Sequence, residues 1–345
     1  MENMQRRRFL GAMAAAPAAL SAASALPVRP GVDLFSLRAQ GWTPFEHLDY
    51  CAKWGARVVH FSEIRFLGSL EDDHVRKVGE HAARLGIELE IGMRSICPTS
   101  SAFDAKQGTA EEQLAKVIRA ASLAKSPLVR CFLGTMADRK SRPIEQHIEN
   151  TVKVLRASRS RAQDAGIRIA IENHAGDMQA RELKTLIEGA GQDFVGACLD
   201  SGNPVWTLED PRVTLETLAP YVLTSHIRDS YLWDTPEGTA VRWVRMGEGN
   251  VDMAGFLKRF GELCPGRALS LEVIVTGART FAWKKPEFWP GYEGVRAQEF
   301  SRFLSLAAAG KPQAPAPPVP RDQAAAVERA DFEASARWLQ EFMKA

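Results

Sequence analysis

The chain contains few cysteines, and none of them stands in the short-range pairs that are typical of structural zinc sites. Its 345 residues include five, at positions 51, 97, 131, 198 and 264, and no Cys-x-x-Cys pair occurs. An odd, unclustered set argues against a disulfide framework and against a structural zinc site. Four of the five lie in or beside predicted apolar strands or helices, where a free cysteine behaves as a small buried residue.

A strong net charge is also missing. The formal net charge is +2, and residues 1–25 contain three arginines and one glutamate, so a chain cleaved after residue 25 has a net charge of 0. A neutral chain has no general attraction to nucleic acid or anionic lipid, and we therefore predict no nucleic-acid partner. Neither a Walker nor a Rossmann glycine fingerprint occurs in the sequence.

The first 25 residues have the features of an export signal in the usual order. Gln5-Arg6-Arg7-Arg8-Phe9-Leu10-Gly11 is similar to a twin-arginine motif, an alanine-rich stretch follows over residues 12–20, and Ala23-Ser24-Ala25 fits a cleavage site. We predict a twin-arginine-type signal peptide over residues 1–25 and a periplasmic or exported protein; the alternative is a basic tail. The stretch is shorter than the ~20 residues that span a membrane, so we expect no stable span after cleavage.

Eight apolar, β-rich runs alternate with helical patterns. The runs are residues 31–37, 57–62, 88–93, 128–133, 168–172, 196–200, 222–226 and 268–274. Apolar residues at helical spacing fall between them, for example over residues 71–85 and 143–165. Strands that alternate with helices form a parallel sheet, and eight units suggest closure. We therefore predict an α/β fold, a (β/α)8 TIM barrel, over residues 26–310.

The parity of two strands supports a barrel. In residues 167–172 the isoleucines share one face, and Ala170 and Glu172 share the other. In residues 269–273 the apolar side chains likewise oppose Ser270 and Glu272. A barrel strand turns its bulky apolar side chains towards the helices and its polar groups inwards.

Two further segments follow the barrel. Residues 311–321 are rich in proline and alanine and are predicted to form an extended linker. Residues 322–345 are predicted to form an amphipathic helix with Phe332, Trp338, Leu339 and Phe342 as its apolar stripe. The stripe packs either on the barrel or on a partner, so this helix is the candidate contact of a homo-oligomer.

Four short polar segments stand at the ends of apolar runs in the second half of the chain. They contain Glu172, Asp200, His226 and Glu272, separated by 28, 26 and 46 residues, or about one strand and one helix per gap with one longer insertion. Carboxylates and an imidazole at the ends of consecutive barrel strands can converge on one divalent cation. Mn²⁺, Co²⁺, Zn²⁺ and Mg²⁺ all suit such a set. The alternative is solvated carboxylates and a core histidine.

The chain resembles the xylose-isomerase-like TIM-barrel superfamily, which includes sugar phosphate isomerases and epimerases, over roughly residues 31–310. The resemblance is carried by residues 171–176, 199–203, 226–229, 247–252 and 271–272. It implies that Glu172, Asp200, His226 and Glu272 bind one divalent metal ion and that Glu172 and Glu272 also act as catalytic base and acid. The implied function is a metal-dependent isomerase or epimerase of a sugar or keto-sugar, by proton transfer through a metal-stabilised enediolate.

Other activities remain open. A lyase or dehydratase acting on a keto-sugar, 3-keto-glycoside or inosose uses the same proton abstraction. The endonuclease IV family shares the fold, but it uses many histidines, of which this chain has seven in all. A non-catalytic sugar-binding protein is the third alternative.

Five more residues are predicted to bind the carbohydrate substrate: His174, Asn203, Arg228, Trp233 and Trp283. Asn203 stands where ketose 3-epimerases often carry a histidine, and Arg228 either binds a substrate oxygen or only pairs with Asp229. Flat indole rings suit the apolar faces of sugars, although tryptophans in long loops also pack on one another. His60, Glu63 and Arg94, at the ends of the second and third strands, are candidates for the barrel mouth.

Overall fold

The computed structural model describes residues 26–344. The predicted signal peptide over residues 1–25 lies outside the described residues. In chain order the strands are β1 Arg29–Asp33, β2 Val58–Phe61, β3 Glu88–Ser95, β4 Leu128–Phe132, β5 Arg168–Glu172, β6 Val195–Asp200, β7 Val222–Ile227, β8 Asp229–Asp234, β9 Thr239–Val244, β10 Ala268–Leu271 and β11 Arg279–Phe281. The helices are α1 Pro44–Lys53, α2 Asp72–Arg84, α3 Ala110–Leu123, α4 Met136–Ser141, α5 Ile144–Asp164, α6 Ala180–Ala190, α7 Pro211–Leu218, α8 Met253–Leu263, α9 Ala297–Ala309 and α10 Ala324–Lys344.

Strands β1 to β7 and β10 form a closed parallel barrel, in which β10 lies between β7 and β1. The predicted (β/α)8 fold is therefore confirmed. The inward and outward faces follow the predicted parity. Ile169 and Ile171 belong to the core between barrel and helices, whereas Ala170 packs with Leu128, Cys198 and Leu223 inside the barrel.

Two strands are shorter than predicted, and local hydrogen bonds explain both ends. The run 31–37 ends as a strand at Asp33, because the Asp33 side chain accepts a hydrogen bond from Phe35 N and caps a 3₁₀ turn over Leu34–Leu37. The run 268–274 ends at Leu271. There the Ser36 hydroxyl donates to Leu271 O and accepts from Val273 N. Both strand ends thus meet beneath the barrel mouth.

A second small core covers part of the C-terminal face of the barrel. Strands β8, β9 and β11 form an antiparallel sheet, and with α9 they bury Leu232, Val241, Phe281, Tyr292 and Phe303. We call residues 229–244 together with residues 279–309 the cap. The hairpin β8–β9 is the longer insertion that separates His226 from Glu272.

Helix α10 packs on the barrel, one of the two placements that the sequence left open. Phe332 and Leu339 are buried in the main core. The Tyr50 hydroxyl donates to Glu333 at 2.8 Å, and Arg245 pairs with Asp331 at 2.7 Å. Residues 311–320 before it form no helix or strand. Within residues 26–344 no helix combines the length and apolarity needed to cross a membrane.

All five cysteines are buried and unpaired. This agrees with the prediction of small core residues rather than a disulfide framework.

Candidate metal centre and active-site cavity

Glu172, Asp200, His226 and Glu272 come together at the C-terminal rim of the barrel. Each offers a ligand atom, all these atoms lie within 4.8 Å of one another, and all four residues are buried. Three of them lie in β5, β6 and β7, and Glu272 directly follows β10, so all four belong to neighbouring strands. We call these four residues the ligand cluster.

The imidazole of His226 faces the carboxylates with one nitrogen. Its Nδ1 lies 3.1 Å from both Glu172 Oε2 and Glu272 Oε2. Within residues 26–344 this buried nitrogen has no hydrogen-bond partner. An unpartnered nitrogen that faces two carboxylate oxygens fits a metal-binding role, and the mixed oxygen and nitrogen donors suit a divalent cation of the first transition row or Mg²⁺.

The other nitrogen of His226 faces the barrel interior, where it contacts His60 and Asp33. Its Nε2 lies 2.9 Å from His60 Nδ1 and 3.4 Å from Asp33 Oδ2. The other oxygen of Asp33 is fixed by Phe35 N and the Ser62 hydroxyl. A carboxylate beside Nε2 favours the tautomer with its proton there and leaves Nδ1 free to bind metal. His60 therefore lies beneath the ligand cluster and not at the barrel mouth.

Asp200 is oriented by its own turn. Its Oδ1 accepts hydrogen bonds of 2.7 Å from both Gly202 N and Asn203 N, and its Oδ2 accepts one of 2.8 Å from Arg228 Nε. The sequence Asp-Ser-Gly-Asn thus folds into a turn that fixes the carboxylate without help from a metal.

Two buried arginines offset much of the negative charge of the ligand cluster. Arg130 Nε donates to Glu172 Oε2 at 2.5 Å, and Arg228 bridges Asp200 and Glu272. Burial raises the pKa of both glutamates, but the arginines and His226 outweigh it. As a result the pKa of Glu172 lies well below its usual range and that of Glu272 falls to about 2. Both glutamates are therefore ionised at neutral pH.

Above the ligand cluster lies a cavity of about 330 Å³. It is lined by Phe35, Ser62, Glu63, Arg94, Arg130, Phe132, His174, Ala175, Asn203, Trp206, Arg228, Trp243, Glu272 and Ile274. Three predicted substrate-binding residues, His174, Asn203 and Arg228, line it. Of the ligand cluster, Glu272 alone does so.

Trp233 and Trp283 do not line this cavity, which corrects the prediction that they contact substrate. Trp233 is buried in β8 beside Tyr231. Trp283 donates to the Thr239 hydroxyl at 3.0 Å and packs on Phe300 inside the cap. Residues 229–244 form a hairpin whose alternating faces decide which tryptophan points inwards, and the position of a tryptophan after a strand end does not reveal that face.

Trp206 and Trp243 line the cavity instead, but their faces are covered. The two indoles stack with centroids 4.5 Å apart. Arg228 covers the outer face of Trp243 at 4.3 Å, and Arg279 covers that of Trp206 at 4.8 Å. This stack of two arginines and two indoles leaves no open face for a sugar ring and fixes Arg228 in place.

Two polar groups face the cavity as hydrogen-bond acceptors. His174 Nδ1 lies 2.8 Å from the Gly134 carbonyl, which can only accept, so the proton is on Nδ1 and Nε2 carries a lone pair. Its ring stacks on Phe132 at 3.8 Å. Burial lowers the pKa of His174 and keeps the ring neutral. Asn203 donates to Glu172 Oε1 at 3.1 Å, and its own Oδ1 has no donor among residues 26–344.

Asp229 does not pair with Arg228 in this arrangement. Its Oδ2 accepts hydrogen bonds of 3.0 Å from both Gly247 N and Gly249 N. Those amides are therefore occupied, and the glycine turn that precedes α8 is held against β8. Of the two alternatives for Arg228, pairing with Asp229 is wrong.

Sequence comparison places this architecture among known proteins. The sequence model described as "Xylose isomerase-like TIM barrel" matches residues 48–289. The chain belongs to this family.

Individual relatives are distant. The 3-oxo-isoapionate decarboxylase of Pectobacterium atrosepticum is 25% identical over 182 residues, which cover 53% of this chain and 59% of that protein. The chain spans less than two thirds of the length of the curated relatives that it matches.

Two solved structures share the fold. D-psicose 3-epimerase from Clostridium cellulolyticum H10 has a TM-score of 0.57 at 12% identity, covering 89% of this chain and 99% of that one. The IolI protein, whose structure contains a bound zinc atom, has a TM-score of 0.56 at 16% identity, covering 80% and 96%.

Two site residues of this xylose isomerase-like barrel were missed by sequence reasoning. Arg130 pairs in register with the inward-facing Ala170, so strand parity alone could have placed it inside the barrel. Asp33 ends β1, where the predicted run continued to residue 37, and the misplaced strand end hid its role.

Proposed function

We propose that the protein is a divalent-metal-dependent enzyme that moves a proton at the carbon beside a sugar carbonyl, as an isomerase or epimerase of a sugar or keto-sugar. One observation carries the proposal. A carboxylate of the ligand cluster, Glu272, borders a cavity of about 330 Å³, so a group bound by the cluster's cation and a proton acceptor share one small site. We expect Mn²⁺, Co²⁺, Zn²⁺ or Mg²⁺ to be bound by Glu172, Asp200, His226 and Glu272.

When bound, the cation supplies Lewis-acid polarisation of a carbonyl and offsets the negative charge that develops on its oxygen. The protein's own groups do the rest. His174 Nε2 and Asn203 Oδ1 accept hydrogen bonds from substrate hydroxyls. Arg228, whose Nη1 makes no hydrogen bond to residues 26–344, donates to a substrate oxygen.

The two glutamates differ in how firmly they are held. Both oxygens of Glu172 accept hydrogen bonds, from Asn203 and from Arg130. Glu272 contacts Arg228 and His226 through Oε2 alone, and its Oε1 has no donor within the described chain. We therefore assign the first proton abstraction to Glu272. Glu172 acts as a ligand, and in an epimerase it returns the proton on the opposite face.

A second candidate function is elimination or decarboxylation of a keto-sugar derivative. It is favoured by the relative named 3-oxo-isoapionate decarboxylase. An elimination begins with the same α-proton abstraction, and the negative charge formed beside the carbonyl then expels a leaving group from the next carbon. A decarboxylation forms that charge by loss of CO₂ in place of the proton, so the same cation and arginines would serve both reactions. A lyase or dehydratase releases water, an aglycone or CO₂, which an isomerase or epimerase does not.

We further propose that the enzyme is exported by the twin-arginine pathway and acts on unphosphorylated sugars. Fusion of residues 1–25 to a reporter that is active only after export tests the first part. Replacement of Arg6 and Arg7 by lysine should prevent export, and unchanged export would contradict this proposal.

The activity is tested by deuterium exchange. Metal-free protein is loaded with Mn²⁺ and incubated in D₂O with a panel of keto-sugars, and mass spectrometry follows incorporation and any released product. Wild type should exchange the α-proton of at least one keto-sugar. Glu272→Gln should lower the rate by about 10²–10⁴-fold, the usual effect of a general base. Retention of the wild-type rate by this variant would remove Glu272 from that role.

A further inference from the structure

Arg94 is the one cavity-lining cation without a protein partner among residues 26–344. It lies near the end of β3, two residues after the inward-facing Gly92, and its side chain is exposed at the mouth of the cavity. Neither a hydrogen bond nor an ion pair within 4.0 Å joins it to another part of the described chain.

The acidic groups nearest to Arg94 are engaged elsewhere. Glu63, which also lines the cavity, pairs with Arg65. Asp104 lies in the adjoining cavity, where it accepts hydrogen bonds from Gln107 and from Lys106 N. Arg94, which lines both cavities, therefore offers an exposed guanidinium with free donors at the mouth of the active site.

The charges around the cavity favour an anionic ligand. The ligand cluster contributes three carboxylates, and Arg130 and Arg228 contribute two positive charges. A divalent cation reverses the sign of this set, and Arg94 adds a further positive charge. Two other buried acids, Asp33 and Glu90, lie beneath the cluster and do not line the cavity. A substrate that carries a negative charge would balance this surplus.

We propose that the substrate carries a carboxylate, which Arg94 binds at the cavity mouth while the carbonyl end of the molecule lies at the ligand cluster. The substrate class is thus a keto-sugar acid. A guanidinium matches the planar carboxylate with two parallel hydrogen bonds. A phosphate is the poorer fit, because the Gly247 and Gly249 amides already donate to Asp229 and offer no anion-binding turn. The inference rests on the proposed function for the placement of the carbonyl.

The kinetic test compares a keto-sugar with the keto-acid of the same chain length, in the Mn²⁺-loaded exchange assay. Arg94→Gln should lower the preference for the acid over the neutral sugar by about 10–100-fold, the effect of losing a charge-assisted hydrogen bond. The change should appear in KM and leave kcat for the acid nearly constant. Arg94→Lys should restore part of the preference, because it keeps the charge.

Lys116→Gln is the matched control. Lys116 is an exposed cation that lines the adjoining cavity and not the active-site cavity, so its loss changes the net charge equally. The Lys116→Gln variant should keep the wild-type preference for the keto-acid over the neutral keto-sugar. An equal fall in Lys116→Gln and Arg94→Gln would overturn the proposal, because a general field and not a contact would then be responsible.

A binding measurement separates this inference from the proposed function. Isothermal titration of the Mn²⁺-loaded protein with gluconate, which has a carboxylate but no ketone or aldehyde group, should show binding that sorbitol does not match and that Arg94→Gln weakens about 10–100-fold. That result without exchange of any keto-sugar or keto-sugar acid would support the carboxylate site and reject the isomerase. Equal binding of gluconate by wild type and Arg94→Gln would overturn the site. Tighter Arg94-dependent binding of glucose 6-phosphate would overturn its assignment to a carboxylate.

Discussion

Replacement of Arg130 by methionine tests whether its guanidinium supplies, before metal binds, the positive charge that a bound metal ion would supply to Glu172. Arg130 is buried and its main ionic partner is Glu172, so Arg130→Met leaves a buried carboxylate without its counter-charge. Removal of one partner of a buried pair typically costs about 3–5 kcal/mol. At a transition entropy of about 2 cal/mol/K per residue, the metal-free variant should unfold about 4–7 °C below wild type.

Added metal should recover much of this loss. At an effective dielectric constant of about 20, two unit charges 4 Å apart attract by about 4 kcal/mol. A divalent cation beside Glu172 replaces that attraction in the variant, whereas in wild type Arg130 already supplies it. The stabilisation by Mn²⁺ should therefore be about 2–4 kcal/mol larger in Arg130→Met than in wild type. Urea unfolding in EDTA and in saturating MnCl₂, followed by circular dichroism, measures the free energy of unfolding of each variant without and with metal.

The matched control is Arg139→Met. Arg139 is equally buried and pairs with Glu182, outside the ligand cluster. It should lose similar stability without metal and gain no more from Mn²⁺ than wild type does. If Arg130→Met gains no more from Mn²⁺ than Arg139→Met, then Arg130 does not share the electrostatic site of the metal, and the reasoning is refuted.

Two further changes test the surroundings of the site. Asp33→Asn should weaken Mn²⁺ binding by about 10–100-fold, because the negative charge 3.4 Å from His226 Nε2 is lost; isothermal titration that shows unchanged affinity would contradict this. Glu209 is buried, and burial raises its pKa from 4.5 to about 7. As the pH rises, the Glu209 carboxyl loses its proton near pH 4.5 in the unfolded chain but only near pH 7 in the folded chain. Its contribution to stability is therefore fully present below pH 4.5 and is lost as the pH rises through 7. Glu209→Gln should remove up to about 3 kcal/mol of that pH dependence, as measured by urea unfolding between pH 4.5 and 7.5.

Strand order and parity were accessible from sequence because they depend on local patterns. The alternation of apolar residues around Ala170 and Glu172 gives the inward face directly. The ends of β1 and β10 were not accessible, because the side chains of Asp33 and Ser36 make the hydrogen bonds that end them. The Ser36 bonds join residues far apart in sequence, whereas the Asp33 bond reaches only to Phe35, and no periodic signal marks either.

The ligand cluster was accessible for a related reason. Each of its members stands at or next to a strand end, so topology alone brings them together. The contacts of the residues around the ligand cluster depend on side-chain length, as when Arg130 on β4 reaches Glu172 on the neighbouring β5. The tryptophans depend on the register of a hairpin, in which Trp243 pairs with Ser230 and Trp233 with Ala240. The sequence marks the aromatic content there but not the face on which each ring lies.

The arginines also explain how so acidic a cluster can exist before metal binds. Three carboxylates within 4.8 Å repel one another, by about 3 kcal/mol per pair at an effective dielectric constant of about 20. Arg130 and Arg228 offset that repulsion in the folded chain. Each carboxylate has about four lone-pair sites, so a guanidinium and a cation can use different ones. Metal binding should therefore complete a site that is already folded, in contrast to small zinc domains in which the metal supplies the folding energy itself.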